Sequence, residues 1–105
     1  MTEIYLNNDN LLSVAGLKNA SSGSFMNDAT VTATLKDSAN AVVTGQTFPL
    51  TLAYMAGTDG NYQATLQDTL NITENTIYTA EITATSSSGL VAKWNMELTA
   101  TKRTA

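Results

Sequence analysis

The chain has 105 residues, enough for one domain and little else. It contains no cysteine and no histidine, which excludes disulfide staples, thiolate or imidazole catalysis and most zinc, copper and iron chemistry. Five basic residues against nine acidic ones leave a net charge of −4, which opposes binding to nucleic acid. The hydrophobic fraction of 43% includes many alanines, so the expected core is thin and gains stability from assembly.

The first residues, Met1 to Asp9, lack a basic segment followed by an apolar run, and no stretch approaches the roughly 20 apolar residues of a membrane span. The expectation is a soluble chain made in a cytoplasm, with no membrane partner. Ile4-Tyr5-Leu6 is a short apolar run before the turn formers Asn7-Asn8-Asp9-Asn10. Leu11 to Ala15 reads as a strand ended by Gly16, and Asn19 to Ser24 as a loop.

Thr30 to Lys36 alternates, with Val31, Ala33 and Leu35 inward and threonines outward, where a β-branched side chain suits extended backbone. Asp37 to Asn40 is a turn, and Ala41 to Thr44 a weaker extended segment. Phe48, Leu50, Leu52 and Tyr54 share one face, and Pro49, which donates no ladder hydrogen bond, marks a strand start or an edge. Gly57-Thr58-Asp59-Gly60 has the chemistry of a hairpin connection, after which Tyr62, Ala64 and Leu66 line a returning strand.

Tyr78, Ala80, Ile82 and Ala84 fall on one face of the next strand, opposite Thr79, Glu81, Thr83 and Thr85. The last strand, Leu90 to Leu98, turns Ala92, Trp94, Met96 and Leu98 inward and Lys93, Asn95 and Glu97 outward. About seven strands with short turns and no helical period point to an all-β protein, a single antiparallel β-sandwich. Tyr78 opens its strand directly after the polar corner Asn71 to Ile77, the position of a tyrosine corner in an immunoglobulin-like sandwich. The expected organisation is an N-terminal segment over 1–10, the sandwich over 11–100 and a tail over 101–105.

The nine carboxylates fall mostly in turns or on outward faces, whereas a glycosidase needs two facing each other at roughly 5–9.5 Å. Calcium could use Asn7, Asn8, Asp9 and Asn10 or Asp59, but turn formation explains both clusters and no Asp-x-Asp-x-Asp-Gly loop exists. Lys18, Lys36 and Lys93 sit on loops or wet faces, poor places from which to activate a serine. Tyr54, Tyr62, Tyr78 and Trp94 read as core rather than as a sugar platform. Asn19-Ala20-Ser21 and Asn71-Ile72-Thr73 match the glycosylation pattern by chance occurrence.

Tyr54 to Leu66, and Tyr78 to Thr85 followed by Gly89 and Trp94, resemble small immunoglobulin-like proteins of tailed bacteriophages. Ala80 stands where antibody-type domains carry their second cysteine. The resemblance implies a non-enzymatic virion structural protein, foremost a capsid decoration protein binding the major capsid protein across neighbouring subunits. A tail or neck protein, or a carbohydrate-binding adhesion module on the virion, is the alternative. Other virion proteins are also partners on this reading, and a homo-oligomer on the particle is compatible with it.

Ile4, Tyr5 and Leu6 are the expected partner contact if the N-terminal segment is an arm; the equal alternative makes them the first strand. Tyr78 and Trp94 are the expected structural anchors. No cofactor is expected. Chelation by EDTA should leave the melting temperature unchanged, and a fall of several degrees in a thermal scan would establish a bound cation.

Overall fold

The computed structural model describes residues 2–18, 23–87, 89 and 91–102, so Met1, most of the 19–24 loop, Ser88, Leu90 and the last three tail residues lie outside the description. Seven strands and no helix are found among the described residues: β1 Thr2–Tyr5, β2 Asn10–Val14, β3 Thr30–Lys36, β4 Leu50–Tyr54, β5 Tyr62–Leu66, β6 Ile77–Thr85 and β7 Val91–Thr101. The weaker segment at 41–44 makes only an isolated bridge between Val42 and Lys36. The strand expected from Phe48 starts at Leu50, after Pro49.

The strands form one mixed sheet in the order β1-β7-β6-β3-β4-β5-β2. Its backbone is the antiparallel ladder of β3, β6 and β7, with Ala33 opposite Ile82 and Ile82 opposite Trp94. Alternation is strict in β3 and β6, whose inward residues are all buried. Several of these are alanines set against larger neighbours: Ala80 lies between Leu35 and Met96, and Ala84 opposite Val31. Small and large side chains thus face one another across the ladder, the alternation that lets an interior interdigitate.

β4 changes partner along its length. Leu50 to Leu52 pair with β3, whereas Ala53 and Tyr54 pair with β5. This transfer curls the sheet, so that β5 and β2 turn their apolar residues Tyr62, Leu66, Leu12 and Val14 into the same core as β3, β6 and β7. The result is close to a barrel.

One strand departs from the antiparallel expectation: β1 runs parallel to β7, pairing Thr2 with Leu98 through Tyr5 with Thr101. The reason lies in connectivity. β1 is followed by β2, yet the two occupy opposite ends of the strand order, so no hairpin dictates the direction of β1. Only Leu6 to Asp9 join them, and four residues reach at most about 14 Å. The two ends of the sheet must therefore converge here.

Asn10 secures the convergence. Its Oδ1 accepts the Tyr5 N–H at 2.9 Å, and its Nδ2 donates to the carbonyls of Tyr5 at 3.0 Å and Asn8 at 3.1 Å. Asn8 Nδ2 donates to the Leu6 carbonyl at 2.7 Å, and Asn7 takes the left-handed conformation (φ 57) that Asn tolerates. Asp9 Oδ1 accepts the Asp68 N–H at 2.9 Å, tying the link to the loop after β5. At the other end of the molecule Gly60 packs under the loop after β2, where a Cβ would stand 2.5 Å from the Leu17 carbonyl oxygen.

Replacing Asn10 by alanine removes three bonds from this link. Asn10→Ala should cost about 1–3 kcal/mol in urea unfolding, with an unchanged m-value, and should speed hydrogen exchange of the Leu6 amide.

Candidate functional site

β7 is eleven residues long, and β1 covers only its last four. Among the described residues no strand pairs with the outer side of Val91 to Met96. The direction of its backbone groups follows from bonds at the far end. Ala100 donates to the Thr76 carbonyl and accepts from the Asn75 N–H, so even-numbered residues point toward β6. Leu6 donates to the Thr101 carbonyl, so odd-numbered residues point toward β1 and, further back, toward the open side. Among the described residues the N–H and C=O groups of Val91, Lys93 and Asn95 therefore form an uncovered edge, while the Glu97 carbonyl falls to the Thr2 N–H at the start of β1.

The side chains of this half-strand are correspondingly less buried than the alternation led one to expect. Trp94 and Met96 are half-buried, and Ala92, expected inward, is exposed. The inward face is real, but among the described residues no layer covers it at this end. Convergence of β1 and β2 closes the sheet near Leu98; toward Trp94 the two sides splay apart.

The splay leaves a groove of about 440 Å³, with Trp94 and Met96 on one wall and the segment from Ser13 to Lys18 on the other. A narrower continuation runs past Met96 and Ser13 to Ile4, Leu12 and Leu98. Lys18 stands at the mouth, its Nζ 4.9 Å from the centroid of the half-exposed Phe25 ring. The outer face of β7 carries exposed Lys93 and Glu97 two positions either side of Asn95. This combination of strand edge, apolar wall and charged rim suits contact with another polypeptide.

The expected partner contacts take different positions. Thr2 to Tyr5 form a strand, and Ile4 is 3% exposed within the core. Tyr5 and Leu6 are half-buried, with the Tyr5 hydroxyl donating to Glu3 Oε2 at 3.4 Å. Trp94 packs against the core with part of its surface in the groove.

Tyr78 is 5% exposed, and its hydroxyl accepts the Thr73 N–H at 2.8 Å, across the corner that precedes β6. A second tyrosine does more. Tyr62, at 1% exposure, donates to the Met26 carbonyl at 2.6 Å and accepts the Ala29 N–H at 3.1 Å, pinning the segment before β3. Alternation marks Tyr62 as inward, but its partners lie more than 30 residues away and no local signal announces them.

Two acidic side chains have clear structural partners. Asp37 Oδ1 accepts the N–H groups of Ala39 and Ala41, an Asx arrangement that builds its own turn. Glu81 pairs with Lys36 at 3.1 Å on the outer face. Among the described residues no three acidic side chains gather as a metal site would require. No protein-family model, curated protein or solved structure matches this chain.

The two tyrosines should separate in a stability measurement. Thr73 is exposed and water can replace the lost hydroxyl, so Tyr78→Phe should cost on the order of 1 kcal/mol. Tyr62→Phe strands a carbonyl and an N–H near the core, and should cost about 2–3 kcal/mol in the same denaturant titration.

Proposed function

We propose that the chain is an immunoglobulin-like β-sandwich serving as a non-enzymatic virion structural protein of the capsid-decoration type. The fold reading is supported by two features together. One is the division of β4 between two sets of partners, with β1, β7, β6 and β3 on one side and β5 and β2 on the other. The other is the Tyr78 hydroxyl bonded to backbone five residues earlier, the geometry of a tyrosine corner.

The observation that carries the functional reading is the uncovered half of β7 above the Trp94–Met96 groove. It offers backbone hydrogen bonds and apolar surface side by side, which is what recognition of a protein segment uses. The placement on a virion comes from the resemblance of the Tyr54–Leu66 and Tyr78–Thr85 stretches to small phage proteins, an analogy at the level of fold. Acting as decoration, each copy would bury a modest area across neighbouring capsid subunits, and repetition on a symmetric shell would raise occupancy through avidity.

The test is cosedimentation of the purified protein with empty capsid shells and with tails from the parent particle. Binding to shells, reduced at least about tenfold by Met96→Glu with the fold intact by circular dichroism, is the expected result. Binding to tails alone would move the protein to the tail or neck. Binding to a glycan array and to neither particle part would make it an adhesion module instead.

A further inference from the structure

We propose that the seam between β7 and β2 is a strand-insertion site, which takes an extended acidic segment of a partner protein antiparallel to the open half of β7. This rests on reading the β7 edge as a docking surface and names what docks there. Near Leu98 the seam is already filled, by β1. The Leu6 N–H donates to the Thr101 carbonyl on the β7 side, and Asn10 of β2 bonds the N–H and the carbonyl of Tyr5 on the other. Among the described residues this intervening strand reaches back only to Thr2, opposite Leu98, whereas β7 reaches back to Val91.

Backbone groups face the seam from both walls. On β7 they are those of Val91, Lys93 and Asn95. On β2 they follow from the ladder beyond it. The Met55 N–H donates to the Asn61 carbonyl on the register that pairs Ala53 with Gln63, so odd-numbered residues of β5 point toward β4 and even-numbered ones toward β2. Tyr62 and Ala64 stand opposite Val14 and Leu12, so Leu11 and Ser13 turn their N–H and C=O groups into the seam. Of these, Ser13 lines the groove beside Trp94.

Between the walls the floor is apolar, with Val14 and Leu17 buried on one side and Trp94 and Met96 half-buried on the other. An extended segment laid here forms a ladder with β7, reaches Ser13 on its far side and alternates its side chains between floor and solvent. Antiparallel pairing is the more stable per residue and sets each residue directly opposite one of β7. Positions opposite Ala92, Trp94 and Met96 then face the floor, and those opposite Val91, Lys93 and Asn95 face out.

Charge selects what the outward positions carry. The chain has a net charge of −4 and only five basic residues, yet Lys18 and Lys93 both flank this half of the seam. Neither has an ion-pair partner among the described residues, and Lys18 is the one charged side chain lining the groove there. Glu81, diagonal to Lys93 across β6, is taken by Lys36, and Glu3 and Glu97 lie at the β1 end. A segment with small apolar residues inward and carboxylates outward matches this rim; one with lysines outward does not.

Trp94 is the only tryptophan of the chain, so its fluorescence reports the seam directly. A capped peptide of about six residues, valine alternating with glutamate, should shift the emission to shorter wavelength with a dissociation constant of about 10–500 µM. The peptide with lysine in place of glutamate should bind at least about tenfold more weakly, and Lys18→Glu combined with Lys93→Glu should reverse that preference. N-methylation of the glutamates, whose N–H groups face β7 in this register, should abolish the shift.

No shift at about 1 mM glutamate peptide, no reversal by the charge variant, or full binding of the N-methylated peptide would overturn the proposal. So would an emission shift on concentrating the protein alone, which would put a second copy in the seam. A protein that sediments with shells while its Trp94 emission ignores the peptide loses only strand insertion. One that binds the peptide but no particle part loses only the virion reading.

Discussion

The four-residue link between β1 and β2 is the constraint on which the rest of this structure depends. It joins strands at opposite ends of the sheet order, so the sheet must curl until those ends approach. Asn10 makes the approach local by bonding both backbone groups of Tyr5, and Asp9 ties it to the loop after β5. Closure at one end has a consequence at the other. With β1 only four residues long and β7 eleven, the seam that is shut near Leu98 is open at Trp94.

The core suits this curled sheet because it is built from contrasts in size. Ala33, Ala80, Ala84 and Ala100 are fully or nearly fully buried, and each makes room for a larger neighbour across the strand or from the facing layer. Such a core contributes less apolar area per residue than a leucine-rich one, roughly in proportion to the surface removed from water. Tyrosines supplement it by combining ring burial with hydroxyl bonds to backbone, Tyr62 before β3 and Tyr78 at the corner before β6. The two anchor opposite approaches to the β3–β6 ladder.

An uncovered strand edge is ordinarily a hazard, since any extended chain can pair with it, and proteins blunt such edges with charge, proline or bulges. β7 has no proline, and its pairing with β6 runs unbroken over nine positions from Val91 to Thr99. What it carries instead is one positive and one negative side chain, on the outer face either side of Asn95.

Periodicity alone located β3 to the residue and the inward faces of β4, β5 and β6, because a buried face writes itself directly into alternation. The turn at Asn7 to Asn10 and the hairpin at Gly57 to Gly60 were equally legible, since their residues suit turn backbone by local chemistry. The direction and partner of β1, the long-range bonds of Tyr62 and the opening beside Trp94 were not. Alternation says which face of a strand is apolar, but not whether another layer reaches far enough to cover it; Ala92 and Ala84 look alike in sequence, yet one is exposed and the other buried. Local residue chemistry decided strand faces and turns. Strand lengths and the short β1–β2 link, acting only once the sheet had curled, decided which half of β7 would be left uncovered.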